Sequence, residues 1–354
     1  MLKVNLKLSA IWQLLFLLLS IKSATLPAFA SNGDRTQFFH NCRQNCERTN
    51  CSADGLEIQE QAVSFYGQTI FDRLFGWRCT DECSYGCMWR TVYAFMERGW
   101  PIPQFYGKWP FLRLFGMQEP ASVIFSVLNF IMHFRMLRKF RWNVRPDSPC
   151  YMLAHIFAIV CLNGWVWSAI FHTRDFPITE LLDYAFAYSI VVCSFYCMLM
   201  RMLHRYSLFL RGVITLACVS YYINYFAYLS TGKFNYSFNM KVNIATGVLT
   251  ALGWFIWCQR VRTRRPYFRR ILRFYVLFAM AMSLELLDFP PILWILDAHS
   301  LWHLATIPIV PLYYDFLIED CQTLRKEKEM ILVTPVPSPW TKSPPCIMKS
   351  LMTL

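Results

Sequence analysis

The sequence has no internal repeat, no CxxC pair, and only 22 acidic side chains against 35 basic ones in 354 residues. Without a repeated half, and with only the Pro290-Pro291 step to break a helix, a transporter built of paired halves is the least supported class. Without CxxC spacing the cysteines do not read as a zinc ribbon. No KDEL-type retrieval signal is present at the C-terminal end. The shortage of acids leaves a formal charge of +13, a surplus that suits either nucleic acid or the cytosolic loops of a membrane protein. Hydrophobic residues make up 56% of the chain, 30 of them Phe, and the mean hydropathy is +0.31. Several stretches of about 20 apolar residues decide for a polytopic membrane protein.

Residues 1–30 read as a secretory signal peptide. Lys3 and Lys7 precede an apolar core from Ile11 to Ile21, too short to span, and Ala28-Phe29-Ala30 supplies a small-x-small cleavage site. Residues 31–118 are then expected in the lumen of the secretory pathway as a Cys-rich domain. They hold two clusters, Cys42-x3-Cys46-x4-Cys51 and Cys79-x3-Cys83-x3-Cys87. An even count in an oxidising compartment reads as three disulfides, with a zinc site as the rival, and the sequence does not choose the pairing. Asn50-Cys51-Ser52 is a glycosylation sequon, weak if Cys51 is bridged; Asn235-Tyr-Ser237 is a second one. The aromatic run Pro103 to Phe111 is expected at the bilayer surface.

Seven apolar segments follow, near 119–137, 150–171, 182–200, 212–230, 241–258, 271–290 and 299–318. The expected fold is therefore an all-α, seven-transmembrane helix bundle over 119–320 behind a disulfide-rich lumenal domain. Connections after segments 1, 3 and 5 carry Arg138, Lys139, Arg141 and Arg145, then Arg201, Arg205 and Arg211, then Arg260, Arg262, Arg264, Arg265, Arg269, Arg270 and Arg273. The alternate connections carry only Arg174 and Lys233. Such asymmetry places the N-terminus in the lumen and the C-terminus in the cytosol. Residues 321–354, charged and then proline-rich, read as a disordered cytosolic tail.

The seven histidines sort by this topology. His40 falls in the lumenal domain, and His133, His155 and His204 near cytosolic ends; these four read as structural or solvated. His172, His299 and His303 fall at lumenal helix ends. His299-x3-His303 puts two imidazoles on one helix face, and Ser168-x3-His172 does the same for a hydroxyl and a third imidazole. Asp183 enters at similar depth on the next segment. Three histidines are the usual donor set of an open zinc site, which lowers the pKa of a water and polarises a carbonyl. Asp183 suits the acid-base role beside it, and Ser168 the donor to an oxyanion. Asp175, Glu285, Asp288 and Asp297, with Arg174 and Glu180, are expected to support ligands or line the loops rather than ligate. Asp288-Phe-Pro-Pro291 is expected to break the sixth helix.

These residues match a known pattern. Ser168-x3-His172, Asp183 and His299-x3-His303 resemble the CREST hydrolase superfamily, which includes alkaline ceramidases and the progestin and adiponectin receptor family. More narrowly the chain resembles the Per1-like family. The likeness rests on Cys83-Ser-Tyr-Gly-Cys87-Met-Trp89, Pro103-Gln-Phe-Tyr-Gly-Lys-Trp-Pro110, Gln118-Glu-Pro-Ala-Ser122, Phe171-His-Thr-Arg-Asp175, Leu284-Glu-Leu-Leu-Asp-Phe-Pro-Pro291 and Leu296-Asp-Ala-His-Ser-Leu-Trp-His303. It covers about residues 40 to 320. The resemblance implies a Golgi, or in fungi endoplasmic reticulum, enzyme of GPI-anchor remodelling. Such an enzyme removes the sn-2 unsaturated acyl chain from the phosphatidylinositol of GPI-anchored proteins, a phospholipase A2-type hydrolysis. It carries a Zn2+ role over to His172, His299 and His303 and a hydrolytic role to Ser168 and Asp183. The alternatives are a ceramidase-like amidase, and a receptor or chaperone-like factor in which zinc only staples helices.

Overall fold

A computed structural model describes residues 32–58, 68–231, 235–285 and 287–333. The expected signal peptide and the proline-rich part of the tail lie outside the described residues, which contain eleven α-helices and no β-strand.

Three helices build the Cys-rich region: α1 Gln37–Asn50, α2 Ile70–Leu74 and α3 Cys79–Glu97. Cysteines one turn apart on α1 face cysteines one turn apart on α3, and the pairing is nested and antiparallel: Cys42–Cys87, Cys46–Cys83 and Cys51–Cys79. The disulfide reading therefore prevails over zinc, because no thiol remains among the six. With Cys51 bridged, Asn50 stays the weaker sequon; its amide lies against Cys46 Sγ. Phe39, Val92 and Phe105 pack beside the bridges. Arg113 closes the opposite side. Its guanidinium grips both oxygens of Glu82 at 2.9 and 2.8 Å, reaches Asp72 at 3.2 Å and lies 4.2 Å from the Trp77 ring centre. Burial pushes the Glu82 carboxyl up, against the pull of Arg113.

Seven further helical segments form the bundle: α4 Pro120–Asn143, α5 Tyr151–Thr173, α6 Pro177–Met202, α7 Leu208–Ser230, α8 Tyr236–Val261, α9 Phe268–Glu285, and a last rod made of α10 Ala298–Thr306, a 3-10 turn Ile307–Ile309 and α11 Val310–Val333. Six of them are long and apolar enough to cross a membrane. The exception is α9, whose first two turns carry Arg269, Arg270 and Arg273 and which stops at Glu285, ahead of the expected 290. Pro290 and Pro291 cannot continue a helix, and the chain turns instead through Leu293 and Trp294, both at positive φ. Trp294 is held there by the ring of Trp89 on α3, centres 5.0 Å apart, and its carbonyl accepts from Leu112 N–H at 2.8 Å.

Among the other boundaries that differ from expectation, two bear on the site and the tail. The third segment starts at Pro177 rather than 182, because proline at the first helical position and the Thr179 hydroxyl accepting from Phe176 N–H cap it earlier; Asp183 thus sits in the second turn. The helix expected to end near 320 runs on to Val333, so a disordered tail does not begin at Cys321. Charged residues Glu319, Asp320 and Glu327 carry it past the apolar part by pairing with Arg270, Arg201 and Arg265.

Close packing of α5 on α6 is set by Gly164: a Cβ there would meet Ile190 Cδ1 at 2.6 Å and the Phe186 carbonyl at 3.4 Å. At the end of the bundle remote from α10, Arg201 of α6 and Asp320 of α11 form a buried two-point ion pair, with Tyr267 Oη donating to Asp320 at 2.7 Å. Replacing Asp320 by Ala leaves a buried, unpaired guanidinium, so the cost should reach ~3–5 kcal/mol. Thermal unfolding of the detergent-solubilised chain should show D320A well below wild type and R201M/D320A largely restored.

Candidate metal centre

The site is assembled from four places in the chain. Glu119 is the N-cap residue of α4, and Ser126 lies two turns into that helix. Ser168 and His172 share a face of the last turns of α5, Asp183 comes from α6, and His299 and His303 share a face of α10. Asp297 starts α10 by accepting from Ser300 N–H at 2.8 Å, while Ser300 Oγ caps back; it is a helix cap, not a ligand. Deeper, Asn129 of α4 donates to the His303 carbonyl at 2.8 Å and accepts from Thr306 Oγ1 at 3.2 Å. That pair of bonds fixes the depth of α10 against α4.

His172, His299 and His303 offer ligand atoms all within 4.8 Å of one another. His172 Nε2 and His299 Nε2 stand 3.3 Å apart. Each ring is held from behind. His172 Nδ1–H donates to Glu119 Oε2 at 2.7 Å, and His299 Nδ1–H to Glu285 Oε2 at 2.8 Å. For His303 the proton count decides. Ser126 Oγ is 2.7 Å from the Ser122 carbonyl, which only accepts, so the single Ser126 proton goes there. Ser126 Oγ then accepts from His303 Nδ1–H at 3.0 Å and from the Ser168 hydroxyl at 3.1 Å. With all three Nδ1 atoms protonated, all three Nε2 atoms carry lone pairs.

His172 Nε2 and His299 Nε2, 3.3 Å apart, are close enough to share a proton or, when both rings are neutral, to converge on a cation. Three imidazole lone pairs backed by buried acceptors are a fitting donor set for a divalent transition metal, and zinc favours imidazole nitrogen. A second grouping, Cys51, Cys79 and Cys83, does not qualify, since all three are in disulfides.

Asp183 is buried and within the electrostatic reach of His172, His299, Lys108 and Glu119. The residues expected to support the site divide. Glu285 holds His299 directly. Asp175 pairs with Lys108 at 2.8 Å. Asp288 receives Trp109 Nε1–H at 2.6 Å and Gln104 at 3.2 Å, tying the α9–α10 loop to the Cys-rich region. Arg174 turns away to Asp81 and the Trp77 face. Of the four histidines read as structural or solvated, His133 meets the Tyr314 hydroxyl at 3.2 Å, and His155 Nδ1–H donates to the Tyr151 carbonyl.

Three residues of the site have no role in the sequence reading: Glu119, Ser126 and Lys108. Glu119 had a signal, because an acid next to an apolar segment demands a partner. Lys108 Nζ supplies it at 2.9 Å. Burial alone would raise the Glu119 carboxyl, but Lys108 and then His172 outweigh it and hold it well below the usual range. Burial likewise opposes the Lys108 charge, and Glu119 and Asp175 overcome it, so the ammonium keeps its proton beyond the ordinary lysine value.

Comparison with known proteins adds a family. The model of the Per1-like family matches residues 69–321. A Drosophila melanogaster protein named post-GPI attachment to proteins factor 3 is 82% identical over 286 residues, 81% of this chain and 88% of the relative. A Mus musculus protein named GPI-specific phospholipase A2-like PGAP3 is 41% identical over 303 residues, 85% of this chain and 92% of the relative. The Homo sapiens protein of the same name is 38% identical over 315 residues, 88% and 96%. No solved structure matches the chain.

Glu285→Gln keeps the shape but removes the charge behind His299, and should weaken Zn2+ binding ~10–100-fold. Asp297→Asn, which changes only a helix cap, should leave affinity within a few-fold. Competition titration against a fluorescent chelator reads both.

Proposed function

Because the chain belongs to the Per1-like family, we propose that it remodels GPI anchors by hydrolysing the sn-2 acyl ester of their phosphatidylinositol with Zn2+ as cofactor. One observation carries the reading. The three-histidine cluster lies at one end of a membrane bundle beside a buried carboxylate and a serine hydroxyl, in a chain whose relatives are named GPI-specific phospholipase A2-like.

A bound Zn2+ would act as a Lewis acid on the ester carbonyl and make a water acidic enough to attack at neutral pH. The protein's own groups do the rest. Asp183 accepts the proton of the attacking water and passes it to the glycerol oxygen that leaves, so the products are a free fatty acid and a lyso-lipid. Ser168, parked on Ser126 Oγ, rotates about Cβ–Oγ to donate to the oxyanion that develops on the carbonyl. Glu119, Glu285 and Ser126 keep the imidazoles in the tautomer that presents Nε2. Gly164 lets α5 and α6 approach closely, which keeps Ser168 and Asp183 within one layer of the bundle.

Charge supports a membrane placement. Arg138, Lys139, Arg141, Arg201, Arg205, Arg211, Arg260 and Arg262 all fall at helix ends remote from the histidines, a bias that favours that end in the cytosol and the site on the lumenal leaflet. Disulfides in the N-terminal region agree with a lumenal location. The setting we propose is a multi-pass membrane protein of the Golgi, or of the endoplasmic reticulum, acting on GPI-anchored proteins.

His299→Ala or His303→Ala should reduce release of the sn-2 chain by ~100-fold or more while the protein still reaches its compartment. Mass spectrometry of GPI lipids from complemented knockout cells reads the outcome. Full remodelling by either variant would sink the reading.

A further inference from the structure

Lys108 comes from the Cys-rich region, far in sequence from any histidine, yet its side chain ends in the metal cluster's surroundings. Its backbone is fixed. Phe105 and Lys108 exchange both backbone hydrogen bonds, at 2.7 and 2.9 Å, across a two-residue turn in which Tyr106 and Gly107 both take positive φ. That is the tight hairpin geometry that leaves its flanking residues little freedom. Phe105 is buried against Phe39 of α1, ring centres 5.4 Å apart, and the Gln104 carbonyl accepts from Gly33 N–H at 3.0 Å. The next residue, Trp109, is tied to Asp288. From this platform the ammonium reaches three partners: Glu119 Oε1 at 2.9 Å, Asp175 Oδ2 at 2.8 Å and the Phe171 ring at 4.3 Å from its centre.

Each oxygen of Glu119 therefore has one task. Oε1 takes Lys108 and Oε2 takes His172 Nδ1–H. Phe171 precedes His172 and Asp175 follows it in sequence, so Lys108 touches a side chain on either side of the ligand. Glu119 is buried, and a carboxylate desolvated beside a neutral imidazole alone would be poorly compensated.

We infer that Lys108 is a positioning residue for the metal centre: it holds Glu119 in place, and through Glu119 it fixes the ring of His172. The Cys-rich region is then part of the site's construction. This rests on the metal-site reading above.

The test uses the full chain, purified in detergent and stripped of metal, with Zn2+ affinity measured by chelator competition and Co2+ absorption reporting the ligand field. Lys108→Met should weaken Zn2+ binding ~10–100-fold and alter the Co2+ spectrum. Lys108→Arg should recover most of the affinity, since it keeps the charge. Glu119→Gln should lose as much as Lys108→Met, and K108M/E119Q no more than E119Q alone, because the two act in series. Asp175→Asn, which frees one side of Lys108, should give a smaller loss in the same direction. Non-reducing mass spectrometry showing all three disulfides confirms that each variant has folded. Wild-type affinity in K108M, losses that multiply in the double variant, or a wild-type chain that binds neither ion overturns the inference. A chain that binds Zn2+ with this dependence on Lys108 but releases no acyl chain overturns only the hydrolase reading.

Discussion

An imidazole can offer a lone pair at Nε2 only if its proton is kept at Nδ1, and inside a low-dielectric bundle that proton needs an acceptor. Three such acceptors, Glu119, Glu285 and Ser126, are the constraint on which the rest of the structure depends. Each comes from a different location: the start of α4, the end of α9 and the second turn of α4. The helices can be arranged in only a few ways that bring all three behind three histidines from two other helices. Burial of apolar surface gives the bundle its stability, but it is non-directional and would accept many rotations of α5 and α10. The hydrogen bonds behind the rings select one.

The two ends of the bundle solve the problem of buried charge differently. Remote from the histidines, Arg201 and Asp320 neutralise each other and Tyr267 satisfies a remaining lone pair; the result is a closed structural pair. Around the histidines, Glu119 and Asp175 pair with Lys108, and Arg174 turns to Asp81. Among the described residues the carboxylates gathered there, Asp183 and Glu285 included, outnumber that ammonium. Such an imbalance is costly in a membrane protein, and it is relieved by a cation.

Much of this was legible in the sequence, for physical reasons that can be stated. Period and spacing are local, so Ser168 with His172 and His299 with His303 could be placed on shared faces. The Arg-rich connections identified one end of the bundle, and all seven segments fell where helices stand, six of them long and apolar enough to cross a membrane. The expected break at Pro290-Pro291 is there: α9 ends at Glu285, and the chain turns through Leu293 and Trp294. What could not be read is whatever depends on contact between distant segments. Ser126 sits in an ordinary apolar stretch and is distinguished only by the Ser122 carbonyl, Ser168 and His303 around it. Lys108 belongs to an aromatic run whose pattern suggested a membrane surface, and nothing in its neighbours points to Glu119. The overrun of α11 to Val333 depends on arginines of α6 and the α8–α9 connection, which no window of local composition contains.

The nested pairing of Cys42–Cys87, Cys46–Cys83 and Cys51–Cys79 has a mechanical consequence. One bridge between two helices is a pivot, about which they can swivel. Two bridges a turn apart stop the swivel, and a third stops shear, so α1 and α3 behave as a single beam. Through Phe39 and Trp89 that beam bears on Phe105 and Trp294, the footings of the two loops that flank the histidines. A small region with little apolar core of its own thereby acquires the stiffness of a much larger one. It can hold two loops at a set separation across the mouth of the bundle.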